Sequence, residues 1–158
     1  MKKKIIIVYA SNSGGTYLVG RTLQAMLAPK YEVILKKAAL TSPSELQNYD
    51  GILLGSPSWR VKGHGDGSPQ ETMIAFMEKA AGEQYNNKPC AIFGCGDRSY
   101  TYFCGAVDHL EKFAETHALK KIRPSLRIDG YFFDLLNNEQ RVKEWGKNLL
   151  QELSRLKF

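Results

Sequence analysis

Ser11-Asn12-Ser13-Gly14-Gly15-Thr16 follows a continuous apolar run, Ile5-Ile6-Ile7-Val8, and precedes a helical pattern that begins Tyr17-Leu18-Val19. A β-branched run of this kind reads as a strand buried on both faces. The six small, hydroxyl-rich residues after it deliver side-chain and backbone donors to the positive end of a helix. Such a construction holds a phosphate without arginine or lysine. The spacing is not Gly-x-Gly-x-x-Gly and there is no Gly-Lys-Ser/Thr ending, which separates it from dinucleotide and triphosphate loops. It suits a terminal monophosphate. A plain serine and glycine turn joining strand to helix is the structural alternative.

Two later segments combine small and aromatic residues in the same way. Gly55-Ser56-Pro57-Ser58-Trp59 follows Ile52-Leu53-Leu54, and Gly94-Cys95-Gly96-Asp97-Arg98-Ser99-Tyr100-Thr101-Tyr102-Phe103-Cys104-Gly105 follows Ala91-Ile92-Phe93. A tryptophan just past a strand end either meets a ligand or caps the edge of the core. Gly94 and Gly96 let a backbone approach a ligand closely, and Tyr100 offers a second aromatic plane. Tyr102 and Phe103 read more simply as anchors of the loop or the start of the next helix. A monophosphate loop with aromatics on two neighbouring loops describes a site for a phosphorylated planar ring.

Bringing three such loops together requires a particular framework. The pattern predicts a helix over about 15–28, a strand at Tyr31–Leu35, a helix from the Ser42-Pro43-Ser44-Glu45 start signal and a strand over 51–55. A loop from Ser56 to about Gln70 follows, then a helix over 70–82, a strand centred on 91–93 and a helix over 104–118. A strand over 122–128 and a helix over 138–157 complete the chain. Strands alternating with helices predict an α/β fold, a doubly wound five-stranded parallel sheet with helices on both faces in three layers. With no repeat or linker, residues 1–158 are expected to form one domain. Ligands of such sheets sit beyond the carboxyl ends of the strands, at the switch in strand order. The loops after strands one, three and four should converge there.

Composition narrows the class. The chain is 43% hydrophobic and 24% charged, ordinary for a globular protein, and no apolar run approaches the ~20 residues of a membrane helix. Met1-Lys2-Lys3-Lys4 runs directly into the first strand without a cleavage site, so a cytoplasmic location and no membrane partner are expected. Cys90, Cys95 and Cys104 form no C-x-x-C pair and read as free thiols. His64, His109 and His117 do not supply zinc spacing. The net charge is +6, yet the basic residues are scattered without a block of alternating basic and aromatic residues. Nucleic acid is therefore not the expected partner, and an acidic protein is.

Taken together these segments resemble the flavodoxin family, over nearly the whole chain and in the right order. Ser11 through Thr16 is similar to its phosphate loop. Gly55-Ser56-Pro57-Ser58-Trp59 resembles the loop whose aromatic covers one face of the flavin, and Gly94 through Asp108 the loop whose tyrosine covers the other. Leu126-Arg127-Ile128-Asp129-Gly130 resembles the family's fifth strand, in a short-chain form. The resemblance implies noncovalent FMN. By position, Ser11, Asn12, Ser13, Gly14, Gly15 and Thr16 would hold the phosphate. Ser56, Pro57, Ser58, Trp59 and Arg60 would line one side of the ring, and Cys95, Gly96, Asp97, Tyr100, Tyr102, Phe103 and Cys104 the other. The protein would tune the flavin while the flavin does the chemistry.

The chain departs from the family in three places. Flavodoxins are usually acidic, whereas Arg60, Lys62 and Arg98 flank the aromatics here. A cation about 8 Å from the reduced ring contributes roughly 2 kcal/mol at an effective dielectric of about 20. Exposure cuts that severalfold, so each cation is expected to raise the second reduction potential by tens of millivolts, at about 59 mV per 1.4 kcal/mol. Arg60 also stands where the family usually has a glycine whose peptide turns over to meet the one-electron-reduced ring. A positive φ costs arginine about 1–2 kcal/mol, so that form should be less stable than usual. The loop from Arg60 to Gln70 is long and glycine-containing, and is expected to be a partner-docking element or a lid.

The leading function is a diffusible, monomeric one-electron carrier, not an enzyme, shuttling between a reductase and an acceptor whose docking surfaces are acidic. The alternatives are an FMN-dependent NAD(P)H:quinone reductase and a specialised partner of one acidic redox protein. Steady oxidation of NAD(P)H by the protein alone would mark the first alternative. Salt-sensitive complex formation with a single partner would mark the second.

Overall fold

Side chains alternate along a strand, so Ile5 and Ile7 face one side of the first strand and Ile6 and Val8 the other. Each side has its own core. The computed structural model describes residues 1–158. Its elements run β1 (Lys4–Tyr9), α1 (Gly15–Leu27), β2 (Glu32–Lys37), β3 (Gly51–Val61), β4 (Gly65–Pro69), α2 (Glu71–Lys79) and β5 (Lys88–Gly96). They continue through α3 (Gly105–Thr116), β6 (Leu119–Lys121), β7 (Leu126–Asp129) and α4 (Leu135–Ser154). The parallel sheet has the order β2-β1-β3-β5-β6, with β7 also paired to β5. Ile5, Ile7, Leu53 and Phe93 pack under α1 and α4 with Leu23, Trp145 and Leu149. Ile6, Val8, Leu54 and Ile92 pack under α2 and α3 with Phe76, Leu110 and Phe113. No helix is long and apolar enough to cross a membrane.

Five elements differ from the sequence expectation, three in kind and two in their bounds. The stretch expected to be a loop from 56 to 70 is a hairpin: β3 continues to Val61 and pairs antiparallel with β4, Trp59 opposite Ser68, with an irregularity between Trp59 and Val61. Gly63, Gly65 and Gly67 at φ 84°, 80° and 75° turn the chain, and the buried Ser68 hydroxyl donates to the carbonyls of His64 and Gly65, both at 2.9 Å. The hairpin is anchored as well. A Cβ on Gly67 would lie 2.6 Å from Tyr102 Cβ, and one on Gly105 would lie 2.6 Å from the Gly67 carbonyl oxygen. The segment expected to be a partner-docking element or a lid thus packs against Tyr102 and Gly105 in this structure.

The start signal at Ser42 does form a capping box with Glu45, but it opens a 3-10 segment, Pro43–Asn48, instead of an α-helix. The fifth strand is split. β6 pairs with Lys88–Cys90 and β7 with Phe93–Gly96; Pro124, between them, has no N–H to give a ladder. With β6 and β7 sharing the fifth position, six parallel strands fill the five positions expected, and β4, antiparallel to β3, is the seventh strand of the sheet. The helix expected over 70–82 stops at Lys79, and the last helix starts at Leu135 and ends at Ser154.

Candidate functional site

Register sets the site. Tyr9 lies opposite Gly55 across β1 and β3, and Pro57 opposite Cys95 across β3 and β5. The Ala10 N–H donates to the Gly55 carbonyl at 3.0 Å. The segments leaving these adjacent strands therefore share one end of the sheet.

The first of them is closed by its own serine: the Gly14 N–H donates to Ser11 Oγ at 3.0 Å. Gly14 has φ 95°, and nothing lies within 4 Å of the place a Cβ would take. The first N–H groups of α1, on Gly15, Thr16 and Tyr17, have no intrahelical acceptors, and the first turn holds no acidic residue. Thr16 is 1% exposed and its hydroxyl has no hydrogen-bond partner. A buried hydroxyl left unpaired costs about 1–3 kcal/mol. An anion at this helix end would satisfy it together with the free amides. Asn12 and Ser13 are exposed, and Asn12 Oδ1 accepts from Gln70 Nε2 at 3.3 Å.

In the second segment the serines hold the frame. Buried Ser56 accepts from the Gln70 N–H at 3.0 Å and donates to the Pro57 carbonyl at 2.9 Å. Half-buried Ser58 accepts the Ala106 N–H at 2.9 Å, satisfying one open amide at the start of α3. Trp59 is left 55% exposed. Arg60 reaches Asp66 across the hairpin at 3.2 Å and is not among the residues of positive φ.

The third segment is a compact turn. Asp97 accepts the Ser99 N–H at 2.8 Å and the Ser99 hydroxyl at 2.7 Å, bonds that hold its carboxyl below the usual range. Tyr100 is 72% exposed. Tyr102 is exposed at its ring and packed at its Cβ on Gly67, whereas Phe103 turns toward the α2 and α3 core. Arg98 lies over the Phe103 ring, 5.4 Å from its centre, and its Nε is 3.7 Å from Asp129. Cys104 is buried at φ 50° with Sγ facing the carbonyls of Gly94 and Ile128.

Burial pushes the Cys95 thiol up to about 11; the neighbouring Thr16 hydroxyl works against that shift without reaching hydrogen-bond geometry. Burial, then the proximity of Cys95, pushes Cys104 up to about 12. Burial thus favours the neutral thiol at both positions. The unpaired Thr16 hydroxyl and the open amides of α1 lie at the same end of the sheet as the segments that carry the exposed rings of Trp59 and Tyr100.

Two supporting residues carried no signal in the sequence. A Cβ on Gly15 would lie 3.3 Å from Tyr131 Cβ, so Tyr131 backs the phosphate-type loop from behind. Buried Asn138 donates to the carbonyls of Asp129, Gly130 and Tyr131, each at 3.2 Å, and holds Tyr131 there.

Known proteins are similar to this chain over most of its length. The flavodoxin family model matches residues 7–145. A flavodoxin of Maridesulfovibrio salexigens is 32% identical over 152 residues, 95% of this chain and 99% of that one. The structure of oxidised flavodoxin 2 from Bacillus cereus superposes with a TM-score of 0.81 at 30% identity, covering 96% of this chain and 98% of that one. Fusobacterium nucleatum flavodoxin bound to flavin mononucleotide shares the fold, with a TM-score of 0.80 at 16% identity over 95% of this chain and 98% of that one. With the family match spanning the three converging segments, the chain belongs to the flavodoxin family.

Proposed function

We propose that this chain holds FMN noncovalently and carries electrons one at a time between a reductase and an acceptor. The observation behind this reading is the buried, unpaired Thr16 hydroxyl at the amino end of α1, beside a loop of open amides. Thr16, Ser13 and the N–H groups of Gly15 and Thr16 would take the phosphate, with Ser11 closing the loop. Trp59 and Tyr100, the exposed aromatics of the other two segments, would cover the two faces of the ring. The backbone of Cys95, Gly96 and Asp97 would meet its polar edge. When bound, FMN supplies reversible one-electron reduction; the chain binds, orients and tunes it. Relatives named flavodoxin support a carrier over a quinone reductase.

The net charge of +6 supports partners with acidic docking surfaces. The regular alternation of strands and helices supports one domain, and three free cysteines fit a reducing compartment such as the cytoplasm. Anaerobic reductive titration followed by visible spectroscopy tests the cofactor. Flavin bands, release of FMN on denaturation and a one-electron-reduced form during titration are the expected result. A colourless protein that takes up no added FMN would overturn the reading.

A further inference from the structure

β7 touches both ends of the third segment with side chains two residues apart. Arg127 and Asp129 stand at alternate positions of one strand, hence on one face of it. From Nη1, Arg127 donates to the Cys104 carbonyl at 3.1 Å; from Nη2 it donates to Asp108 Oδ1 at 2.7 Å, with Glu111 Oε1 3.6 Å away. Asp129 Oδ1 accepts the Arg98 N–H at 3.0 Å, and Oδ2 lies 3.7 Å from Arg98 Nε. The backbone adds one bond beside them, Gly130 N–H to Gly96 carbonyl, at 2.7 Å.

Between these anchors the turn is tied by its own bonds, Ser99 to Asp97 and the Tyr100 N–H to the Asp97 carbonyl at 3.1 Å. Cys104, where Arg127 attaches, has φ 50°, a conformation that a non-glycine residue keeps only under restraint. Burial of the Cys104 side chain contributes to that restraint, and the planar guanidinium of Arg127 adds to it by bonding a carbonyl and a carboxylate at once, a fork that lysine lacks.

We infer that Arg127 and Asp129 form a two-point clamp that sets the position of the Tyr100 turn over the ring site. They are positioning residues and not ligands. The inference rests on the FMN reading for its effect on binding, whereas the clamp itself is observable in the ligand-free chain.

The test uses the full chain with Arg127→Met, Arg127→Lys and Asp129→Asn. Amide hydrogen exchange without flavin should speed up about tenfold or more over residues 98–104 in R127M and D129N, the size of one charge-assisted hydrogen bond. R127K should be intermediate, and α4 amides, which report folding, should not change. Apoprotein titrated with FMN and with riboflavin, read by quenching of flavin fluorescence, should lose affinity for both by the same factor of about ten. Unchanged exchange over residues 98–104 in both R127M and D129N would overturn the clamp, as would loss of FMN affinity with riboflavin binding intact. Wild-type apoprotein that binds neither flavin, with exchange changing as described, would overturn the FMN reading and leave the clamp standing.

Discussion

Replacing Thr16 with valine separates the stability of the empty site from its affinity. The hydroxyl is 1% exposed and unpaired, and leaving it so costs about 1–3 kcal/mol. Valine keeps the branched shape and comparable helix propensity while removing the polar atom. The ligand-free T16V protein should therefore gain at least about 1 kcal/mol, the low end of that range. For a chain of 158 residues that corresponds to a Tm higher by about 2–4 °C. The same change deletes a hydrogen bond to a charged group, about 1.5–3 kcal/mol, or roughly 10- to 100-fold in FMN affinity. Riboflavin, which has no phosphate, should bind T16V as it binds wild type. Thermal unfolding of the apoprotein and fluorescence titration with both flavins give the four numbers needed. A lower Tm together with undiminished FMN affinity would refute the reasoning, because it would mean that Thr16 is satisfied without an anion and does not meet one.

Two further outcomes follow from the charges. Burial raises the Glu111 pKa, but bonds from Lys121 and Ser125 and the charges of Lys121 and Arg127 outweigh it, so the carboxyl sits below its usual value. A depressed carboxyl stabilises the fold above its unfolded pKa and loses that contribution as the pH falls through the folded value. The Tm advantage of wild type over Glu111→Gln should thus be full at pH 7 and shrink as the pH drops below about 4.5; a gap independent of pH from 7 to 3 would exclude the charge as its source. Arg60→Gln alone should move the second flavin potential negative by tens of millivolts, and Arg60→Gln with Asp66→Asn should return it to within about 30 mV of wild type. Potentiometry that finds the double variant displaced as far as the single one would show Arg60 acting as a free cation.

What the sequence made legible was local. Ile5 through Val8 announced a buried strand by their type, and Ser11–Thr16 a turn by its place between that strand and a helix; strand, turn and helix stand where the periodicity put them. The hairpin was hidden because the stretch over 56–70, with three glycines and two prolines, shows no alternation. It forms by docking Gly67 onto Gly105 and Tyr102, contacts that no short window contains. Ser56 and Ser58 read as ligand contacts because serine at a strand end suits either role. Their partners, 14 and 48 residues away in the chain, are backbone amides of the frame. Arg127 and Asp129 were ordinary strand residues until the fold brought them against a turn whose contacted residues lie 23 and 31 positions away in the chain.

The same distinction changes the meaning of the basic charge. Counted along the chain, Arg60, Lys62 and Arg98 surround the aromatics as three cations; in space Arg60 is paired with Asp66 at 3.2 Å and Arg98 with Asp129 at 3.7 Å. A cation about 8 Å from the ring contributes about 2 kcal/mol at a dielectric of about 20, and a carboxylate about 3 Å behind it takes back about 1.5. The remainder, about 0.6 kcal/mol, is about 25 mV before solvent exposure reduces it further. Paired in this way, the two arginines shift a flavin potential far less than their number implies. The net charge of +6 does not cancel at long range, because opposite charges close together screen their own near field and leave the molecular total untouched. Charge on this scaffold therefore bears first on which surfaces the protein approaches, through a field that salt screens within about 8–10 Å, and only second on the energy of the electron it carries.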